Sequence, residues 1–221
     1  MIYSPVVAIY ITRNCNLNCP HCAIRRRVND LPPKWWASQI IDTYDKLGKP
    51  LIYFYGGEPL MYWKPVEGLI ELLDYLREHG IDHAVQSNST LINEETAKAL
   101  VSAGLRNWSV SIDPPTLWNV DEVRGSAGFR ALMLFKKLGV KDLHVTLTIY
   151  PTNYRFLKHV LLDLMKLDVW LEPTMMMWRK NEHYDAFPSA NEFLPDNIFR
   201  EWLNNAYIHA RKIHEHVSVL F

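Results

Sequence analysis

The sequence has only three cysteines, and all of them fall between positions 15 and 22 of 221 residues. Three neighbouring cysteines cannot form the disulfide framework of a small secreted protein, and they suit a reducing compartment. No apolar run approaches the roughly 18 residues of a membrane-spanning helix. The first residues also lack the basic and apolar regions of a signal peptide. We therefore expect a cytoplasmic protein with no membrane partner.

An excess of charge of either sign is also missing. The 24 lysines and arginines balance 24 aspartates and glutamates, so the formal net charge is zero. Nucleic-acid binding rests on an excess of basic side chains, and we expect no nucleic-acid partner. Hydrophobic residues make up 48% of the chain, which is enough for a sizeable core. We expect a single domain over 1–221, with its core at about 5–180 and a C-terminal helix and edge strand in 181–221.

Short apolar runs alternate with amphipathic segments along the chain. Strict alternation of strands and helices predicts a parallel α/β sheet with right-handed crossovers. The strands are nearly all apolar, so we expect both faces of the sheet to be covered. A doubly wound open sheet and a barrel both fit this pattern. The predicted strands are Val6–Ile11, Leu51–Tyr55, His83–Gln86, Trp108–Asp113, Leu143–Ile149 and one that starts at Val169, with Val217–Phe221 as an edge strand.

Helices are predicted between these strands from apolar positions at helical spacing. One opens at Pro32-Pro33, and another is capped by Asn93. The remaining predicted helices are centred on Val66–Leu76 or span Ser126–Leu138, Phe156–Leu167 and about Pro195–Ile213.

Polar residues follow the strands at the points where they end. Because the carboxyl ends of parallel strands meet at one edge, where α/β folds place their active sites, we predict a single site there. Its candidate residues are the three cysteines after strand one, Gly56-Gly57-Glu58-Pro59 after strand two, Ser87-Asn88 after strand three, Ser111 on strand four and Thr148 on strand five.

The cysteines have the spacing C-x3-C-x2-C, and we name residues 13–22 the cysteine loop. Their thiolates can converge on one metal or cluster. An iron–sulfur cube normally takes four cysteines, so three suggest a cluster with one open iron. The alternative is structural zinc with His21 as the fourth ligand. His21 adjoins Cys22, which makes tetrahedral coordination awkward, and structural zinc sites usually draw on two separate ligand pairs.

The two other motifs each have two interpretations. Gly56-Gly57 is either a tight turn or a place where backbone amides approach a ligand closely while Glu58 accepts from an ammonium group. Ser87-Asn88 is either a turn or cap, or part of the same site.

Together these motifs resemble those of the radical S-adenosylmethionine (radical SAM) enzymes. The resemblance is best to the branch of molybdopterin-cofactor cyclases and peptide- or protein-modifying maturases, and it covers roughly residues 5 to 175. It implies a partial (β/α)6 barrel of parallel strands. No cysteine follows Cys22 to hold the auxiliary clusters of that branch, which implies either one cluster only or a shortened chain. The matching residues are Cys15, Cys19, Cys22, an aromatic at His21, Gly56–Pro59, Ser87-Asn88, Val110–Asp113 and Arg124-Gly125 ahead of helix four.

The resemblance also implies a reaction. The three cysteines would hold a [4Fe–4S] cluster whose open iron is chelated by the amino and carboxylate groups of SAM. One electron, from a donor such as a flavodoxin or ferredoxin, would cleave the C–S bond. The resulting 5′-deoxyadenosyl radical would take hydrogen from a substrate such as a peptide or protein side chain.

By position, the resemblance assigns further residues to SAM. The implied contacts are Gly56, Gly57 and Glu58 to the ammonium, Ser111 and Arg124 to the carboxylate, Asn88 with Ser87 to the ribose, and His21 with Leu147, Thr148 or Ile149 to the adenine.

Two alternatives to this enzyme stay open. One is a non-catalytic metal- or SAM-binding module with a degenerate barrel, and the other is a one-electron carrier, which gains nothing from an open iron.

Overall fold

The computed structural model describes residues 6–19, 22, 24, 30–112, 119–149, 160, 163–164, 167 and 169–175. Residues 119–122, 149 and 171–175 are described through their backbone alone. His21, the helix predicted at Pro195–Ile213 and the edge strand predicted at Val217–Phe221 lie outside the described residues. Of the helix predicted at Phe156–Leu167, the structure describes only residues 160, 163, 164 and 167.

Six parallel strands form one sheet in which neighbours in sequence are neighbours in space. A doubly wound sheet reverses its strand order at a switch point. The order here runs without reversal, as in a barrel. Within the described residues, β1 and β6 are the two edges of the sheet. The strands are β1 (Val6–Thr12), β2 (Leu51–Gly56), β3 (His83–Ser87), β4 (Asn107–Ser111), β5 (Asp142–Ile149) and β6 (Trp170–Met175).

Helices connect successive strands, as the alternation predicts. Pro33 opens the first helix, and the Asn93 side chain caps the third by accepting from the Thr96 amide at 2.8 Å. No helix of the described residues is both long and apolar enough to cross a membrane. The helices are α1 (Pro33–Tyr44), α2 (Glu67–Glu78), α3 (Glu94–Ser102) and α4 (Asn119–Lys137), with a short 3-10 turn at Pro59–Met61.

The predicted start of α4 at Ser126 is wrong. The helix begins at Asn119, so Arg124 and Gly125 lie inside it rather than ahead of it. Two glycines in this stretch lower its helix propensity and suggest a later start. In the structure, Gly128 brings the helix close to the Ile112 side chain, where a Cβ would not fit. Tertiary packing therefore outweighs the local preference.

The prediction that the strands are nearly all apolar rather than alternating is also wrong. Alternate residues such as Phe54, Val85 and Trp108 are buried in one core with the helices, and the Trp108 ring lies 4.8 Å from that of Phe135 on α4. The opposite face, which we name the inner face, carries phenols, amides and hydroxyls. The strands therefore alternate with a period of two. The inner-face residues include Tyr10, Tyr53, Tyr55, Gln86, Ser109, Ser111 and Thr146.

A buried histidine at the start of β3 makes stability depend on pH. His83 is 5% exposed, and its Nδ1 lies 3.0 Å from the Ile81 carbonyl oxygen. Burial lowers the pKa of His83 below its ordinary 6.5. The unfolded chain therefore binds a proton at a pH where the folded imidazole stays neutral, and the free energy of unfolding falls as pH drops below about 6.5.

The matched variant is His83→Gln, which keeps a donor for the Ile81 oxygen and stays neutral. Urea denaturation at about pH 7.5 and about pH 5.5 should show a larger loss of stability in the wild type than in the variant. Equal losses in the two proteins would contradict the assignment to His83.

Candidate active site

One cavity of about 230 Å³ lies at the carboxyl ends of the strands. It is lined by nine of the residues predicted for the site. Glu58 and Thr148 are not among its lining residues. We name it the thiol cavity, and its lining is Cys15, Leu17, Cys19, Cys22, Tyr55, Gly56, Gly57, Gln86, Ser87, Asn88, Ser111 and Arg124.

The three thiols surround this cavity without forming a disulfide. A turn in which the Cys22 amide donates to the Cys19 carbonyl at 3.0 Å sets the spacing of these two. Within the described residues, no three His, Cys, Asp or Glu side chains are grouped closely enough to hold a single metal ion. In an iron–sulfur cube each thiolate binds its own iron, so the thiols need not meet at one point. The described thiols are therefore compatible with such a cluster, and the zinc alternative depends on His21, which lies outside the described residues.

The glycine turn after β2 packs directly on the cysteine loop. The Gly57 amide donates to the Thr12 carbonyl and the Glu58 amide to the Asn14 carbonyl, each at 2.8 Å. A Cβ on Gly57 would lie 2.8 Å from the Asn14 carbonyl carbon and closer still to its oxygen. Gly57 is therefore required for contact within the chain, and the amides of Gly57 and Glu58 already have protein acceptors.

Glu58 is fully buried and connects the glycine turn to the end of β3. Its Oε1 accepts from the Ser87 hydroxyl at 2.7 Å and from the Leu60 amide at 3.0 Å. Its Oε2 accepts from the Asn88 amide at 2.7 Å. Burial raises the pKa of Glu58, while these hydrogen bonds and the charge of Arg124 act in the opposite direction. The Glu58 carboxylate thus supports the site by fixing the positions of Ser87 and Asn88.

We predict that Glu58→Gln destabilises the protein. Both carboxylate oxygens accept from a backbone amide, so the NH2 group of glutamine must face an N–H donor in either orientation. One buried donor then loses its acceptor, at a cost of about 1–3 kcal/mol. Chemical denaturation should show this loss, whereas Glu71→Gln on the exposed side of α2 should stay within about 0.5 kcal/mol of the wild type. Equal stabilities for all three proteins would contradict the bracing role.

The side chain of Asn88 is committed to the chain itself. Its Oδ1 accepts from the Thr90 amide at 2.9 Å and the Thr90 hydroxyl at 2.6 Å. Its Nδ2 donates to Asn16 Oδ1 at 3.0 Å and approaches the Cys15 sulfur at 3.8 Å. Asn16 closes the ring by donating to the Thr90 hydroxyl at 2.8 Å. We name Asn88, Asn16 and Thr90 the Asn88 network.

One cationic side chain lines the thiol cavity. Arg124 of α4 is 7% exposed, and Ser111 at the end of β4 is 9% exposed. Both line the cavity. A buried guanidinium beside a hydroxyl is suited to an anionic group such as a carboxylate, to which it can make charge-assisted hydrogen bonds.

Sequence reasoning missed the polar inner face beside the cavity. The Tyr53 hydroxyl donates to Gln86 at 3.0 Å, and Gln86 Nε2 donates to the Thr146 hydroxyl at 3.4 Å. Tyr55, which lines the cavity, packs edge-on against Tyr10 with ring centroids 5.3 Å apart. The alternation of tyrosine and apolar residues at 52–55 was the signal that could have revealed this face.

The neighbouring thiols of the cysteine loop affect the pKa of Tyr10. Burial, followed by the neighbouring Cys22 among other charges, raises the pKa of Tyr10 to about 12. Its phenol therefore stays protonated beside the cysteine loop at physiological pH and remains a hydrogen-bond donor.

A comparison with protein families identifies this arrangement. The model of the radical SAM superfamily matches residues 9–161. The chain belongs to the radical SAM superfamily. The family implies SAM and a [4Fe–4S] cluster.

Relatives of this superfamily member include an "AdoMet-dependent heme synthase" of Oleidesulfovibrio alaskensis. It is 32% identical over 73% of this chain and 42% of its own length. An "Fe-coproporphyrin III synthase" of Methanosarcina barkeri is 36% identical over 68% of this chain and 38% of its own length. The chain thus spans less than half the length of these curated relatives.

Solved structures share the fold of this chain. SuiB of Streptococcus suis bound to S-adenosylmethionine has a TM-score of 0.74 at 17% identity, covering 99% of this chain and 51% of SuiB. HemN of Escherichia coli has a TM-score of 0.60 at 14% identity, covering 92% of this chain and 52% of HemN. These identities show the fold alone. They confirm the predicted α/β barrel of parallel strands.

Proposed function

We propose that Cys15, Cys19 and Cys22 hold a [4Fe–4S] cluster whose open iron binds SAM within the thiol cavity. The observation that carries this proposal is the placement of all three thiols around one cavity with Arg124 on its wall. Three thiolates complete the coordination of three irons and leave the fourth for a ligand that the protein does not supply.

A cluster held by the three cysteines would supply the single electron that cleaves the C–S bond of SAM, so that SAM would end as methionine and 5′-deoxyadenosine after taking a hydrogen atom from the substrate. A one-electron donor such as a flavodoxin or ferredoxin restores the electron. The chain itself positions these groups and keeps side reactions out. A non-catalytic module and an electron carrier are disfavoured because neither requires an open iron beside a cationic side chain.

We propose that Arg124 and Ser111 bind the carboxylate of SAM. The Arg124 guanidinium is almost wholly buried, so an entering carboxylate meets a positive charge with little solvent to screen it. The ammonium group would lie against the Gly56-Gly57 turn. An ammonium group only donates hydrogen bonds, so backbone carbonyl oxygens are the acceptors that this turn could offer it.

The remaining predicted contacts differ in what their side chains could reach. We propose that Glu58 and Ser87 act by bracing, because their side chains bond to each other. Asn88 would reach the ribose only by giving up part of the Asn88 network. His21 and Thr148, the latter beside the buried Leu147, stay proposed neighbours of the adenine.

For the substrate, we propose an iron tetrapyrrole as the first candidate. The relatives above 30% identity carry the names of heme and Fe-coproporphyrin III synthases. The tyrosines and hydroxyls of the inner face offer stacking surfaces and hydrogen bonds beside the cavity. A peptide is the second candidate. Its support is the fold likeness to SuiB bound to its precursor peptide SuiA, with a TM-score of 0.72.

Anaerobic reconstitution with iron and sulfide tests the proposal. The protein should take up a cluster and, with a reductant, convert SAM to 5′-deoxyadenosine measured by mass spectrometry. Absence of this product at full cluster occupancy would overturn the enzyme and favour the binding module.

Iron coproporphyrin III then serves as the substrate probe. Tetrapyrrole recognition predicts a shift of its Soret band on binding and faster 5′-deoxyadenosine formation. If neither occurs while SAM cleavage persists, the tetrapyrrole proposal is wrong, and deuterium transfer from peptides captured with the protein becomes the test of the second candidate.

A further inference from the structure

The amide of Asn88 has a fixed direction. Asn88 is 8% exposed, and its Oδ1 accepts two hydrogen bonds from Thr90. A flip of the amide would turn its NH2 group toward the Thr90 backbone N–H and lose that bond. The Nδ2 group therefore faces Asn16 and the sulfur of Cys15.

The backbone below Asn88 is held as firmly as its side chain. The buried Glu58 carboxylate accepts from the backbone N–H of Asn88 at 2.7 Å. The next residue, Ser89, has a positive φ of 59° and accepts from the indole N–H of Trp108 at 3.3 Å. The position of Nδ2 is thus set by contacts within the chain on both sides.

The Cys15 sulfur is approached by two N–H donors. Asn88 Nδ2 lies 3.8 Å away, and the Leu17 amide lies 3.4 Å away. Hydrogen bonds to the sulfurs of an iron–sulfur cluster are one of the factors that set its reduction potential. A donor stabilises the added negative charge of the reduced cluster, so it raises the potential.

We propose that Asn88 is a positioning residue that raises the reduction potential of the cluster by donating to the Cys15 sulfur. This inference rests on the proposed function, because it requires a cluster on the three cysteines. Asn88 acts through Cys15, and the Asn88 network supplies the rigidity that keeps the donor aimed. Its consequence is that a one-electron donor reduces the cluster more readily than it would without Asn88.

Redox titration followed by electron paramagnetic resonance tests the inference in the reconstituted protein. In Asn88→Leu, which removes the donor without adding charge, we expect about tenfold less reduced cluster at a fixed potential, equivalent to a shift of about 59 mV to lower potential. Asn88→Asp should lower it further, because a carboxylate faces the sulfur. The matched control is Asn18→Asp, which adds the same charge to the exposed part of the cysteine loop and should shift the potential less.

Three outcomes would overturn the inference. They are a wild-type potential in Asn88→Leu, equal shifts in Asn88→Asp and Asn18→Asp, and, should the Asn88 variants not fold, no hyperfine coupling to the cluster from wild-type protein labelled with ¹⁵N at its asparagine amides. Iron analysis keeps the two proposals separate. A wild type that assembles no four-iron cluster contradicts the proposed function, whereas an intact cluster with an unchanged potential contradicts only the role of Asn88.

Discussion

Cys19→Ala is expected to abolish both the iron–sulfur cluster and SAM cleavage. Each thiolate holds one iron of a cube, and the chain has only three cysteines, so no other thiol can replace the lost one. Iron content after anaerobic reconstitution and 5′-deoxyadenosine by mass spectrometry should both fall to the level of a protein-free blank.

The control for this result is Asn18→Ala, a change of the exposed neighbour in the same loop. It should retain the cluster, and circular dichroism should show the same secondary structure for both variants. A Cys19→Ala protein that keeps a catalytic cluster would contradict the assignment of the three thiols.

Gly57→Ala is expected to have the second largest effect. A Cβ there overlaps the Asn14 carbonyl group, which is backbone and cannot rotate away. The glycine turn must then separate from the cysteine loop and lose the two hydrogen bonds to Thr12 and Asn14. Two bonds and the strain together predict a loss of about 2–4 kcal/mol in the free energy of unfolding. Because the turn lines the thiol cavity, SAM affinity should fall by at least about tenfold.

Gly80→Ala is the matched control for Gly57→Ala. Gly80 has a φ of +64° and no atom within 4 Å of an added Cβ. Its only cost is the left-handed backbone, about 1 kcal/mol. Denaturation and SAM titration should therefore show a small loss of stability and an unchanged affinity. Similar effects for the two variants would show that the close approach of Gly57 to Asn14 has no special role.

Glu58 connects several parts of the site to one another. Its backbone amide holds the cysteine loop at Asn14, and its carboxylate holds Ser87 and Asn88. Arg124 on α4 acts on the same carboxylate through its charge. One residue thus connects four segments of the chain that are distant in sequence. Such preorganisation limits the rearrangement needed when substrate or cofactor binds.

The positions of the strands along the chain and the edge of the sheet that carries the candidate site could be predicted from the sequence, whereas the order of the strands within the sheet could not. Apolar runs broken by glycine and proline mark the strands, and parallel strands place their carboxyl ends at one edge. Cys15, Gly57 and Ser111 then had to lie near one another, as they do. The spacing of the cysteines needed no knowledge of distant contacts, because all three occupy one loop.

The directions of the polar side chains could not be predicted in this way. Glu58 was expected to face a ligand, but its carboxylate is turned to the amides of Leu60 and Asn88. Asn88 was expected at a ribose, but it is bonded to Thr90 and Asn16. Both depend on partners from other segments, and local sequence carries no information about which partner wins.

In the proposed function, SAM binds the iron left open by Cys15, Cys19 and Cys22. Electron–nuclear double resonance on the reduced cluster, with SAM labelled with ¹⁵N in its amino group, tests it most directly. A hyperfine coupling from the label is expected, because the amino nitrogen would be bonded to the cluster. An intact four-iron cluster that shows no coupling from bound, labelled SAM would contradict it.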